Sequence, residues 1–253
     1  NTCFVKCAEC GLVYQNPQPE QSELVERYDG EYFDYEIENE DSFYNLMKLG
    51  LNDIGFFEIE NAIINKCLTS GDKPSFLDIG CATGRLIYEM SKRGWNVKGV
   101  EVCKASAEYG IKERSLDIRI MPFEDCCFQD KSFDVVHCSH LIEHLTSPDS
   151  FVEEASRVLK PGGLFIITTP DIGGFQSKLF GSEWRSAIED HMFLFSYKDL
   201  KTLCEKKGFS IQKKVSWGGL AVGTVPAPVK KIADKLVKVF NCGDVMCVMA
   251  SNK

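Results

Sequence analysis

No run of apolar residues in this chain approaches the roughly 20 needed to cross a bilayer. No leader-like segment with a charged start and an apolar middle opens it, so neither membrane insertion nor secretion is expected. The chain begins at Asn1 rather than Met, which leaves room for residues before it. Positive charge is not in excess either. The net charge is −8, whereas a nucleic-acid footprint needs a basic surface to neutralise phosphates, so no nucleic-acid partner is expected. Histidine is scarce, at four residues in 253, and neither internal repeats nor low-complexity tracts occur. Cysteine is plentiful at twelve residues, but they are scattered rather than grouped in a compact framework. Cys81, Cys138 and Cys204 read as small buried apolar residues, and a reducing, cytoplasmic setting is expected. A hydrophobic content of 44% and this length suit one domain with a full core plus additions.

What the chain does contain is Phe76-Leu-Asp-Ile-Gly-Cys-Ala-Thr-Gly84. An apolar run ends at Asp78, a glycine turn of pattern D-x-G-x-x-x-G follows, and a helical segment runs from Arg85 to Arg93. A strand feeding a glycine turn and a helix N-terminus brings backbone N–H groups up to a ligand. The pyrophosphate fingerprint G-x-G-x-x-G is missing. A carboxylate two residues before the first glycine would repel a pyrophosphate and suits a ligand with a cationic amino group. Further strands follow in order. Asn96-Val-Lys-Gly-Val-Glu101 ends in an acid 23 residues beyond Asp78, placed to accept from ribose hydroxyls. Asp117 to Pro122 reads as a third strand, with Phe123-Glu124-Asp125 after it. Phe133-Asp-Val-Val-His-Cys-Ser-His140 is a fourth. Leu159-Lys-Pro-Gly-Gly163 is a helix stop and turn, and Leu164 to Thr169 is a fifth. Helical patterns alternate with these strands, which implies parallel pairing with right-handed crossovers.

In this order the motifs resemble those of class I S-adenosylmethionine (SAM) methyltransferases, continuously over residues 70 to 215. The resemblance implies an α/β, Rossmann-like seven-stranded sheet with helices on both faces and a helical N-terminal cap. Phe209 to Trp217 is then strand six, and Asp244 to Ala250 is strand seven, antiparallel between five and six. It implies SAM as cofactor and S-adenosyl-L-homocysteine as product. Asp78, Gly80, Cys81, Ala82 and Gly84 would shape the methionine pocket, with Asp78 acting directly or through water or backbone. Glu101, with Val102 beside it, would hold the ribose. Phe123 and Glu124 would lie against adenine, and Cys138, Ser139 and His140 would border the sulfonium. Strand-end capping is the bland reading of Asp78 and Glu101.

Five segments are expected: an arm at 1–19, a helical cap at 20–70, the SAM-binding core at 71–217, an insertion at 218–241 and the last strand at 242–253. In the arm, Cys7-Ala-Glu-Cys10-Gly11 resembles the second half of the zinc ribbon that precedes many bacterial and archaeal methyltransferases. Cys7 and Cys10 are candidate zinc ligands. The first cysteine pair of that ribbon is absent, so the alternative is a hairpin without metal. Residues 22–28 and 43–67 read as helices. The aromatics Tyr28, Tyr32, Phe33 and Tyr35 between them either close over the site or pack on the sheet edge. Lys230 to Phe240 is a basic amphipathic helix, suited to a membrane surface, a lipid substrate or a second subunit, or simply to packing.

Methyl transfer from a sulfonium is an in-line displacement in which the protein aligns the reactants and excludes water. A hydroxyl acceptor benefits from a base, and histidine is the residue for that role near neutral pH. His140, His144 and His191 fall where the site should be, and His137 reads as a core residue. His144 lies in Ile142-Glu-His-Leu145, an element in which it often only packs. His191 lies in Glu189-Asp-His-Met-Phe-Leu-Phe-Ser196, resembling an H-x-x-x-F-S element that faces substrate. The segment His140-x-x-Glu143-His144 also approaches the E-x-x-E-H of certain quinone and small-RNA methyltransferases, which hold a divalent cation there. O-methylation of a small molecule is therefore expected, with a sugar-type acceptor first and a quinone or lipid-like acceptor, cation-dependent or not, second. A SAM-binding partner protein without catalysis is the reading from another class. The chain is expected to be a monomer or homodimer.

Overall fold

In the computed structural model, residues 3–19, 30–219 and 226–253 are described. The expected helix at residues 22–28 and the side chains of Tyr28 and Tyr32 lie outside them. Seven strands form the main sheet: β3 (Ser75–Ile79), β4 (Asn96–Glu101), β5 (Ile118–Ile120), β6 (Phe133–Ser139), β7 (Leu159–Pro170), β9 (Phe209–Trp217) and β10 (Val245–Asn252). Their order is β5-β4-β3-β6-β7-β10-β9. The first five run parallel, and β10 is antiparallel to both its neighbours, β7 and β9. Such a sheet must be covered on both faces, which is why its central strands are almost wholly apolar.

Alternate residues of each strand feed two cores. Leu77, Ile79, Val136, Cys138, Phe165 and Ile167 enter one, and Phe76, Val135 and Ile166 enter the other. Helices α3 (Arg85–Lys92), α4 (Lys104–Arg114), α5 (Pro148–Val158) and α7 (Tyr197–Lys206) supply the crossovers. α5 begins with a proline, whose missing N–H costs nothing at a helix start. α7 opens with a capping box, in which Ser196 and Asp199 bond reciprocally.

The turn expected at Leu159–Gly163 lies inside β7. Phe133 pairs with Leu159 but Val135 pairs with Leu164, so the Pro-Gly-Gly stretch loops out as a break in register rather than ending the strand. The helix expected over 43–67 is two: α1 (Gly30–Asp53) and α2 (Phe56–Thr69). Gly55, at φ 86°, separates them, a conformation that glycine adopts without steric cost. Phe33 and Tyr35 therefore lie on α1 rather than in a linker. Phe33 rests on Tyr109, with ring centroids 6.0 Å apart, and Tyr35 is exposed. α2 is fastened to the sheet by Phe56, fully buried against Phe76 and Trp95. Truncating Phe56 to alanine would cost about 3–5 kcal/mol.

The arm forms a hairpin, β1 (Phe4–Lys6) and β2 (Val13–Gln15), and β2 pairs with β8 (Phe193–Leu194). Gln15 N–H also donates to Met192 O at 2.9 Å, which sets the arm beside the segment that carries His191. α6 (Phe175–Phe180) follows β7, and α8 (Ala227–Phe240) precedes β10. Among the described residues no helix is long and apolar enough to cross a membrane. All twelve cysteines are free, and Cys81, Cys138 and Cys204 are buried as expected.

Candidate active site

The carboxyl edge of the parallel strands gathers the candidate residues. Beyond β3 the chain turns through Gly80, Ala82 and Gly84, all at positive φ (69°, 49° and 74°), before α3 begins. The N–H groups of Gly80 and Cys81 both donate to Val100 O, at 2.8 and 3.1 Å, which ties the turn to β4. Gly84 has no room for a side chain. A Cβ there would overlap Leu116 and reach to 3.2 Å from Ile118.

Glu101 ends β4 and is buried. Its Oε2 accepts the Ala82 N–H at 2.9 Å and its Oε1 accepts the Cys103 N–H at 2.8 Å. Burial raises its pKa, and the N–H groups of Cys103 and Ala82 oppose that rise. The carboxylate thus joins the glycine turn to the loop after β4, with Val102 exposed next to it. Asp78 is buried too, and its Oδ1 lies 2.7 Å from Nδ1 of His137, its register partner on β6. Burial raises the Asp78 pKa, and His137 pulls it down. Its contact is a histidine in the core.

Two of the expected cofactor-lining side chains are buried. Phe123 is turned into the core against Phe128 and Phe151, because its short 3₁₀ segment (Phe123–Cys126) buries that ring and exposes Glu124 instead. Cys138 is fully buried between the sheet and its helices, and Ser139 is the half-buried residue at the strand end.

The histidines converge. His140 leaves β6 at φ 52° and is exposed, and Ile142–His144 forms a 3₁₀ turn that drives Glu143 inward to 1% exposure. Thr169 of β7 donates to Glu143 Oε2 at 2.9 Å. Glu143 Oε1 has no hydrogen-bond partner and stands 3.3 Å from Nδ1 of His140. His144 Nδ1 is 2.9 Å from Asp190 O, and His191 Nδ1 is 2.8 Å from Ser186 O. A carbonyl can only accept, so each ring donates its Nδ1–H there and, when neutral, keeps a lone pair on Nε2. The two rings meet edge to face, with centroids 4.7 Å apart. Burial alone would raise the Glu143 carboxyl, but His140, then His144 and His191, outweigh it and hold the pKa at about 2. Burial, then His144, pushes the His191 pKa down.

Among the described residues, Glu143, His144 and His191 are the group that brings three metal-type donors within 4.8 Å of one another. A buried carboxylate, one oxygen of which pairs only with His140 at 3.3 Å, together with ring nitrogens of His144 and His191 within 4.8 Å, is a donor set that fits a divalent cation. Among the described residues, Cys7 and Cys10 belong to no such group. The amides of Cys10 and Glu9 lower the Cys7 pKa, and the pair supplies two of the four ligands that a structural zinc needs.

The strand order, with its antiparallel β10 between β7 and β9, and the glycine turn at the carboxyl end of β3 now stand beside the known proteins. Residues 58–214 match the methyltransferase domain family. The chain belongs to the class I SAM-dependent methyltransferases. This methyltransferase is 31% identical to a ubiquinone biosynthesis O-methyltransferase of Maricaulis maris over 178 residues, 66% of the chain and 68% of that protein. A second protein of that description, from Alkalilimnicola ehrlichii, is 32% identical over 42% of the chain and 45% of its own length. The chain thus spans under half of that second relative. Among solved structures, a SAM-dependent methyltransferase from Archaeoglobus fulgidus superposes with a TM-score of 0.61 at 18% identity, covering 87% of this chain and 99% of that one. The last likeness shows the fold alone.

One group at the site went unread in the sequence. Glu40 of α1 accepts from the Thr83 hydroxyl in the glycine turn and pairs with Arg114, whose Nη1 donates to Thr83 O at 2.6 Å. These partners lie 43 and 74 residues from Glu40, and no local pattern signals a pairing across such separations.

Proposed function

We propose that this methyltransferase methylates an oxygen of a quinol- or catechol-type acceptor at the Glu143–His144–His191 cluster. The observation that carries the reading is the pair of imidazoles that give Nδ1–H to backbone carbonyls, which leaves Nε2 as the free base, in a cluster whose donor atoms lie within 4.8 Å of one another and include a deprotonated, buried carboxylate. The relatives named ubiquinone biosynthesis O-methyltransferases support the acceptor class. Nothing in them favours the sugar-type acceptor that the sequence suggested.

A phenolic O–H attacks a sulfonium methyl well only as it loses its proton. His191, neutral because burial lowers its pKa, accepts that proton at Nε2. Glu143 stabilises the imidazolium as it forms, and Thr169 and the Ser186 carbonyl keep both groups oriented. SAM is held with its methionine part against Gly80, Cys81, Ala82 and Gly84, its ribose at Glu101 and its adenine near Val102 and Glu124. Ser139 and His140 border the sulfonium. With a divalent cation bound, Glu143, His144 and His191 would instead act as its ligands, and the cation would lower the pKa of the acceptor hydroxyl in place of the His191 base.

The test is methyl transfer from SAM to catechol and quinol acceptors, read by mass spectrometry, with sugars and nucleotide sugars in parallel. Product on the catechol oxygen is expected. Product on sugars alone would overturn the acceptor class. The cation part is tested separately by calorimetry with Mn²⁺ and Mg²⁺ on wild type and Glu143→Gln. Cation binding lost in the variant is expected, and unchanged turnover in EDTA would remove the cation from the reading.

A further inference from the structure

We infer that α8 is a docking surface for an anionic lipid bilayer. Val229, Ile232, Leu236, Val239 and Phe240 recur at spacings of three, four and one and so share one face of this helix. That face is turned outward: Ile232 is 61% exposed, Val239 69% and Phe240 72%. The helix is held to the protein from its other side. Val237 is its buried residue, Asp234 accepts the Gly219 N–H at 3.1 Å, and Lys238 pairs with Asp53 at 2.6 Å. A helix anchored by its polar side with its apolar stripe in solvent is the reverse of ordinary packing.

Charge decides the occupant. α8 carries four lysines and one aspartate, so it is +3 in a chain whose net charge is −8. Lys231 and Lys235 flank the apolar stripe, and among the described residues neither has a partner. An apolar stripe edged by free lysines is what a helix lying in the plane of an anionic membrane requires: the stripe enters the acyl boundary while the lysines meet the headgroups.

The surface is also placed to matter. Just beyond α8, Cys242 O accepts the Phe175 N–H of α6 at 2.8 Å, and Val245 pairs with Pro170, so this end of α8 lies at the carboxyl edge of the sheet. α6 exposes Phe175, Leu179 and Phe180 next to it. A docked α8 therefore brings the edge that carries the candidate site toward the membrane. The inference concerns the surface, not the acceptor, and its test needs no turnover.

The experiment is co-sedimentation of the whole chain with phosphatidylglycerol–phosphatidylcholine vesicles, with phosphatidylcholine vesicles as control. Binding that depends on the anionic lipid and weakens with salt is expected. Lys231→Glu with Lys235→Glu should reduce it at least about tenfold, since each surface lysine contributes several-fold to binding. Ile232→Ser with Leu236→Ser should reduce it to a similar extent. Both variants change exposed residues, and circular dichroism and S-adenosylhomocysteine affinity should match wild type. Absence of wild-type binding overturns the inference. So does binding that both variants retain, or a wild-type dimer that Ile232→Ser with Leu236→Ser makes monomeric while vesicles stay unbound.

Discussion

Gly84→Ala and Gly80→Ala differ by one methyl each and should differ sharply in effect. Both residues sit at positive φ, 74° and 69°, so alanine at either costs about 1 kcal/mol or a little more in backbone strain. Their surroundings separate them. A Cβ at Gly80 meets Leu141 side-chain atoms no closer than 3.4 Å, an ordinary contact. A Cβ at Gly84 would overlap Leu116 and press on Ile118, both buried beneath α3 and α4. Overpacking of that kind costs about 1–3 kcal/mol more. Gly84→Ala should therefore lose about 3 kcal/mol and Gly80→Ala about 1 kcal/mol. Urea denaturation followed by circular dichroism measures both, and calorimetry with S-adenosylhomocysteine reports the turn itself. Equal losses in the two variants would refute the steric reasoning, because strain alone would then account for both.

His191→Asn should lower kcat about 10²–10⁴-fold while S-adenosylhomocysteine affinity stays within about twofold, since a base contributes to the chemical step and not to cofactor binding. Because burial lowers the His191 pKa, the group is neutral above its folded value, and kcat should fall only as pH drops below the ordinary 6.5; a pH profile whose acid limb lies above 6.5 would contradict that. Arg114→Met leaves Glu40, in a largely buried setting, with only Arg85 at 3.8 Å and the Thr83 hydroxyl as partners, and a loss of about 2 kcal/mol in urea denaturation is expected. Wild-type stability there would show the pair to be dispensable.

How much could be read in the sequence follows the range of the interactions. β9 was read to the residue, Phe209–Trp217, because turn residues bound an alternating run on both sides. The glycine turn and the acid at the end of β4 were legible for a similar reason, since each is set by a few neighbours along the chain, whereas the place of β10 between β7 and β9 came from the family resemblance. The start of β7 was not, because a parallel ladder can accommodate a looped-out Pro-Gly-Gly and continue. Nor was the break at Gly55, where one left-handed residue divides an otherwise continuous helical pattern. The inward turn of Phe123 depends on the ring cluster with Phe128 and Phe151, which only the folded sheet assembles. The role of Glu143 was half visible as E-H. Its Thr169 partner and the ring of His191 come from segments 26 and 48 residues away. The docking of the arm onto β8 is likewise a pairing between distant segments, and the unit spacing of a hairpin does not announce its third strand.

The most direct measurement is single-turnover methyl transfer from SAM to a catechol acceptor by wild type and by Glu143→Gln, with the product located by mass spectrometry. O-methylated catechol from the wild type, and a rate at least about a hundredfold lower from the variant at equal S-adenosylhomocysteine affinity, is the expected result. O-methylation at an undiminished rate in Glu143→Gln would place the chemistry elsewhere in the protein.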